Sequence, residues 1–121
     1  MYKVLDQSEG NVLGLEISGK IDITQERELI AKAEAILKDH DKIRLLVVVD
    51  KGLSATFEAA KTDMAWVIKN VKKLGKLAIV ADNAFLGHLV EIDAKFASML
   101  DIGEKHFTTD EVDEAWAWIK A

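Results

Sequence analysis

Residues 43–50, IRLLVVVD, decide the fold of this chain. The run is almost continuously apolar and rich in β-branched side chains, which is typical of a strand covered by helices on both faces of a parallel sheet. A second run of this kind, KLAIVA, occupies residues 76–81. Between the two, residues 57–74 carry apolar side chains at helical spacing, and Gly75 ends that pattern. The sequence therefore predicts a strand–helix–strand unit and an α/β layer fold.

The segments before this unit predict a hairpin and a first helix. The short β-type runs YKVL (2–5) and VLGLEIS (12–18) flank a Gly-Asn turn signal, so we expect them to pair antiparallel. Apolar residues then recur at helical spacing over Ile23–His40. Asp22 and Gln25 have the spacing of a capping box at the start of this helix.

The segments after the unit extend the alternation of strands and helices. Asn83 is expected to cap a third helix, EKHFT (104–108) to form the last strand, and Thr108 with Glu111 to open a final helix through a capping box. The predicted order is ββαβαβαβα in a single domain, residues 1–121. It gives a five-stranded mixed sheet, mostly parallel, with about four helices and right-handed crossovers.

The composition excludes several classes of protein. The 121 residues contain no cysteine, so a disulfide framework, a thiol nucleophile and thiolate metal sites are excluded. The net charge of −5 argues against nucleic acid as a partner, because binding phosphates requires a basic surface. The N-terminal residues lack a signal-peptide pattern, and no apolar run reaches the ~20 residues of a membrane span. We therefore expect a cytoplasmic protein.

Four stretches together resemble the SpoIIAA-like family, which is related to STAS domains: GNVLGLEISGKI, IRLLVVVD, KLAIVAD and HFTTDEVDEAWAWI. The resemblance spans nearly the whole chain. It implies a compact α/β domain that is not an enzyme and needs no cofactor. It also implies homodimers, binding of a small apolar or lipid-like ligand, and reversible association with membranes.

The junction after the central strand reads DKGLSATFE and contains Asp50, Lys51, Gly52 and Ser54. STAS relatives of the anti-anti-sigma type carry a phosphorylatable serine here, in an Asp-Ser-Ser-Gly pattern. Asp50 matches that pattern and the Ser-Ser-Gly does not. A phosphoswitch regulator that binds a kinase or an anti-sigma partner is therefore the alternative function.

Two physical interpretations of the same junction remain open. Lys51 and Gly52 before a helix N-terminus can attract an anion. Alternatively, Gly52 permits a tight turn while Ser54 or Thr56 caps the helix. No metal site is predicted, since a zinc site needs three or four protein ligands and only His88 and Glu91 share a helix face.

Large apolar residues suggest a ligand pocket between the second and third helices, and the sequence predicts its lining as Phe57, Phe85, Leu86, Leu89 and Phe96.

Trp66 lies off the apolar stripe of the second helix and shares a face with Lys69 and Lys73. An indole beside lysines suits either the headgroup level of an anionic membrane or the centre of a homodimer contact. A third outcome is that Trp66 packs within its own chain.

Overall fold

A five-stranded sheet with helices on both faces forms the centre of the protein. The computed structural model describes residues 1–50, 52–87 and 103–121. The strand order is β1-β2-β4-β6-β7, and the strands are β1 Tyr2–Val4, β2 Val12–Ile17, β4 Ile43–Val49, β6 Leu74–Val80 and β7 Gly103–Phe107. β1 and β2 pair antiparallel, and the other three pairings are parallel. The predicted α/β fold with a mixed, mostly parallel sheet is confirmed.

Within the described residues, four helical segments accompany the sheet: α1 Ile23–Leu37, α2 Phe57–Lys69, α3 at residues 83–87, and α4 Val112–Lys120. α1 ends at Leu37 and not at the predicted His40, because the last polar residues do not continue the helix. The 3₁₀ turns Val71–Lys73 and Thr109–Glu111 precede β6 and α4.

The caps confirm part of the prediction. Asp22 Oδ1 accepts a hydrogen bond from the Gln25 N–H at 2.9 Å, but the buried Gln25 Oε1 has no hydrogen-bond partner, so only half of that capping box forms. The Thr108–Glu111 box is complete. α3 is capped by Asp82, whose Oδ1 accepts from the Phe85 N–H at 2.8 Å; the expectation of an Asn83 cap was wrong by one residue.

The face of the sheet that packs against α4 contains a cluster of buried apolar residues. Leu46, Ala78 and Val80 on the central strands are completely buried there. Gly14 of β2 lies directly under Trp116, and a Cβ at this position would be only 2.8 Å from the indole Cζ2. The absence of a side chain at Gly14 is therefore what lets α4 approach the sheet.

Two basic side chains of adjacent strands hold the end of α4. Arg44 Nη1 donates to the carbonyl oxygens of Ile119 and Ala121, both at 3.0 Å. Lys76 Nζ donates to the Trp118 carbonyl at 3.0 Å and lies 5.0 Å from the centroid of its ring. These charge-assisted bonds satisfy carbonyls that the helix end leaves without an intrahelical partner.

The opposite face packs against α1 and α2, and the apolar cluster there contains Ala33, Leu13, Leu15, Ile43 and Leu74. It is less completely covered than the first. On the same two central strands, four of the side chains that point this way are only half-buried, namely Leu45, Val47, Leu77 and Ile79, whereas Ile43, Val49 and Leu74 near the strand ends are buried.

A two-residue parallel pairing that the sequence did not predict joins the starts of α1 and α2. It consists of β3, Lys20–Ile21, and β5, Ser54–Ala55. The Ser54 N–H donates to the Gly19 carbonyl at 2.8 Å, and the Thr56 N–H donates to the Ile21 carbonyl at 3.0 Å. The residues that lead into the two helices are therefore tied side by side.

Candidate functional site

A cavity of about 510 Å³ separates the α1–α2 layer from the sheet. Its floor is the incompletely covered sheet face, formed by Leu13, Leu15, Ile17, Leu45, Val47, Val49, Leu74, Leu77 and Ile79. The volume falls within the range of ~300–1,000 Å³ that small-molecule sites occupy.

Small side chains on the helices leave this space open. α1 contributes Ala33 and α2 contributes Ala59 and Ala60 to the lining, so the helix surfaces above the floor project little into the cavity. Larger groups, including Leu29 and Trp66, close the wall between the two helices. Close packing of a core normally leaves few voids larger than a water molecule, and this space is much larger than that.

Two carboxyl groups meet at the helix side of the cavity. Glu26 of α1 is buried, with 7% of its surface exposed, whereas Asp63 of α2 is exposed to solvent. Burial, a hydrogen bond to the Asp63 carboxyl and the charge of that group raise the pKa of Glu26 to about 8, with burial the largest cause. At neutral pH Glu26 is therefore mostly protonated, and it donates its proton to Asp63.

A third carboxyl group, that of Glu104 on β7, also lines the cavity. Its Oε2 lies 3.1 Å from Nε2 of His106, two residues along the same strand. Glu26, Asp63 and Glu104 are the titratable groups of the lining within the described part of the chain, and the rest of that lining is apolar.

The sequence analysis did not select the Glu26–Asp63 pair, although a signal was present. Glu26 precedes Leu29 and Ala33 at the helical spacing of the apolar stripe of α1, and Asp63 has the same relation to Val67 in α2. A carboxylate on the apolar stripe of a helix is a candidate for a buried polar group. Its partner, however, lies on another helix, and a single sequence does not show that pairing.

The predicted pocket residues fall in different places. Phe85 lines the cavity, and Leu86 is half-buried outside the lining. Phe57 is 84% exposed, so its assignment to an inward stripe and to a pocket was wrong. It is exposed because it is the first residue of α2, two residues after the end of β5. Leu89 and Phe96 lie outside the described residues. The cavity lies against the sheet, whereas the prediction put the ligand between the second and third helices.

The junction after β4 forms a turn and a cap. Gly52 has a φ of +77°, a conformation that favours glycine. Asp50 is exposed, and its N–H donates to the Ile17 carbonyl at 3.0 Å. The cap is Thr56, whose Oγ1 accepts from the Ala59 N–H at 3.1 Å, while Ser54 lies in β5 with its side chain exposed. Lys51 lies outside the described residues.

Trp66 packs partly against its own chain, and its role at a membrane or in a homodimer stays a prediction. Its half-buried ring contacts the α1 side of the core, and Nε1 donates to Glu34 Oε1 at 3.2 Å. Lys69 and Lys73 are exposed. The exposed large apolar side chains of α2 are instead Phe57, Met64 and Ile68.

The described residues form neither a metal-ligand cluster nor a membrane-spanning helix. Residues 1–50, 52–87 and 103–121 contain no group of three or more histidine, aspartate or glutamate side chains arranged to hold a metal ion. Within the same ranges, no helix combines the length and the apolar character that crossing a bilayer requires.

Comparison with known proteins supports the fold. A protein-family model described as SpoIIAA-like matches residues 12–120. The chain is also similar to the crystal structure of an uncharacterized protein with a SpoIIAA-like fold from Shewanella loihica PV-4, with a TM-score of 0.74 and 17% sequence identity. That alignment covers 98% of this chain and 93% of the other. At this identity the likeness shows the fold alone. No curated protein matches the chain.

Proposed function

The chain belongs to the SpoIIAA-like family, and we propose on that premise that it is a non-enzymatic binding module that holds a small apolar ligand between its helices and its sheet. The observation that carries the proposal is the cavity of about 510 Å³ over an apolar sheet face.

The difference between the two faces of the sheet supports a ligand on the cavity side. In the middle of β4 and β6, Leu46, Ala78 and Val80 face α4 and are completely buried, whereas Leu45, Val47, Leu77 and Ile79 face the cavity and are half-buried. The contrast is limited to these residues, since Val48 on the α4 side is also half-buried and Ile43, Val49 and Leu74 on the cavity side are buried. Apolar surface left in contact with water is unfavourable, and covering it stabilises by about 0.8 kcal/mol per methylene group. A linear alkyl chain laid along this floor would gain that stabilisation without a change of fold.

Binding of dodecanol, followed by Trp66 fluorescence and by native mass spectrometry, tests the proposal. Ala60 lines the cavity and Ala65 is exposed on the same helix outside the lining, so Ala60→Phe and Ala65→Phe form a matched pair. We expect wild type and Ala65→Phe to bind one dodecanol and Ala60→Phe to lose it. No binding by the wild type, or equal binding by Ala60→Phe, would refute the cavity as the site.

A peripheral contact with membranes is a further part of the proposal. It is supported by the exposed apolar side chains of α2, of which Phe57 is 84% exposed and Ile68 49%, together with the exposed Lys61 and Lys69 on the same helix. Apolar and basic groups on one helix suit an anionic lipid surface. We expect co-sedimentation with anionic vesicles that falls with added salt and with Phe57→Ser. Unchanged sedimentation of Phe57→Ser would contradict this contact.

The phosphoswitch is the second candidate, and the exposure of Ser54 on β5 favours it. An exposed hydroxyl beside a strand–helix junction is accessible to a kinase. Intact-mass measurement of protein from its native cell tests this candidate: phosphate on Ser54 would support it, and its absence under all growth conditions would exclude it.

A further inference from the structure

We infer that the cavity selects apolar ligands that carry a basic amine, because the carboxyl groups of Glu26 and Asp63 meet at its helix side and no basic side chain lines it in the described part of the chain. This inference rests on the proposed function and adds the chemical class of the ligand.

The Glu26–Asp63 pair forms the polar end of the cavity. Glu26 stands in the first turn of α1 and Asp63 in the middle of α2, so the two carboxyl groups face each other across the helix pair. Glu26 is buried and Asp63 is exposed, which places the acidic group between the apolar interior and the solvent. A ligand whose alkyl chain lies on the sheet can therefore bring its head group to this pair.

The charge of the pair decides which head group fits. With the proton on the buried Glu26, the negative charge of the pair lies on Asp63 at the solvent edge of the cavity, where a cation or hydrogen-bond donors can meet it. An ammonium group supplies both a positive charge and three donors. A fatty-acid carboxylate brings a like charge to the carboxylate of Asp63. An alcohol of the same length is the neutral reference.

The pair also predicts how the preference depends on pH. The titratable group that contacts Glu26 is Asp63 on α2, and Glu104 on β7 is the other titratable group of the described lining. Raising the pH above neutral removes the proton that Glu26 holds, so the pair gains a second negative charge while an alkylamine stays protonated. Amine binding is then expected to tighten, and binding of a carboxylate to weaken further.

Competitive binding of dodecylamine, dodecanol and dodecanoate below their aggregation concentrations tests the inference. In wild type we expect dodecylamine to bind about tenfold more tightly than dodecanol, in line with a charge-assisted hydrogen bond. The double variant Glu26→Gln/Asp63→Asn should bind the two equally. Glu58→Gln, which removes a charge from an exposed α2 position outside the lining, should keep the preference and so controls for the overall charge.

The outcomes separate the two proposals. If dodecanol does not bind, the proposed function fails. If dodecanol binds and dodecylamine binds no better, or if the preference survives in the double variant, the inference about the head group is overturned. If the double variant does not fold, the single variant Asp63→Asn replaces it in the same binding measurement, because Asp63 is exposed and its replacement leaves the core intact. If Asp63→Asn keeps the full preference for dodecylamine over dodecanol, the inference is also overturned.

Discussion

The shared proton of Glu26 makes a quantitative prediction about stability. Burial and Asp63 raise the pKa of Glu26 from 4.5 to about 8 in the folded protein. Between these values the folded chain keeps a proton that the unfolded chain releases. The folded state therefore binds more protons, and its stability must fall as the pH rises through this window.

The magnitude follows from the same values. A pKa difference of about 3.5, at about 1.4 kcal/mol for each unit, corresponds to a loss of about 5 kcal/mol at full extent. Because Asp63 is exposed and water screens its charge, we expect a measured loss of about 2 to 4 kcal/mol. This is a large part of the stability of a typical domain.

Urea denaturation of wild type and Glu26→Gln between about pH 5 and about pH 9 measures this loss. Glutamine keeps a donor toward Asp63 and has no proton to release, so the free energy of unfolding of wild type should fall relative to that of Glu26→Gln as the pH rises. Glu16→Gln is the same change at an exposed position of β2 outside the cavity, and its free energy of unfolding should depend on pH in the same way as that of wild type. Parallel curves for wild type and Glu26→Gln would refute the shared proton.

Two further substitutions test the packing and the caps. Gly14→Ala would press its Cβ against Trp116 and should lower the free energy of unfolding by about 1–3 kcal/mol in the same urea titration. Gly75→Ala is the control, because its Cβ would have no neighbour closer than 3.6 Å, and it should lower the free energy of unfolding by less than half as much. Thr56→Ala removes the cap of α2 and should cost about 1 kcal/mol; an equal loss for Ser54→Ala, which accepts no capping bond in α2, would show that the cap is misassigned.

The order of elements was predictable because it depends on local patterns. The almost continuously apolar run of β4, the turn signal between β1 and β2, and the Thr108–Glu111 box each specify structure within a few residues. The two-residue β3–β5 pairing was not predictable, since segments this short carry no period-2 pattern of their own.

The site was harder to predict because it depends on which surfaces of a helix are covered. Phe57 belongs to an apolar stripe by spacing, yet the stripe begins at the exposed end of α2. Trp66 lies off that stripe and is still half-buried, because α2 packs against α1 as well as against the sheet, and Glu34 of α1 accepts its indole N–H. A helix with two packing partners has two buried sides, and a single hydrophobic period describes only one of them.

The pairing of β3 with β5 has a mechanical consequence for entry into the cavity. The hydrogen bonds from the Ser54 and Thr56 N–H groups to Gly19 and Ile21 fasten the leading ends of α1 and α2 to each other. Separating the leading end of one helix from that of the other must break those hydrogen bonds, whereas a displacement of both ends together leaves them intact. A ligand that enters between the helices and the sheet therefore costs least when the leading ends of α1 and α2 stay side by side.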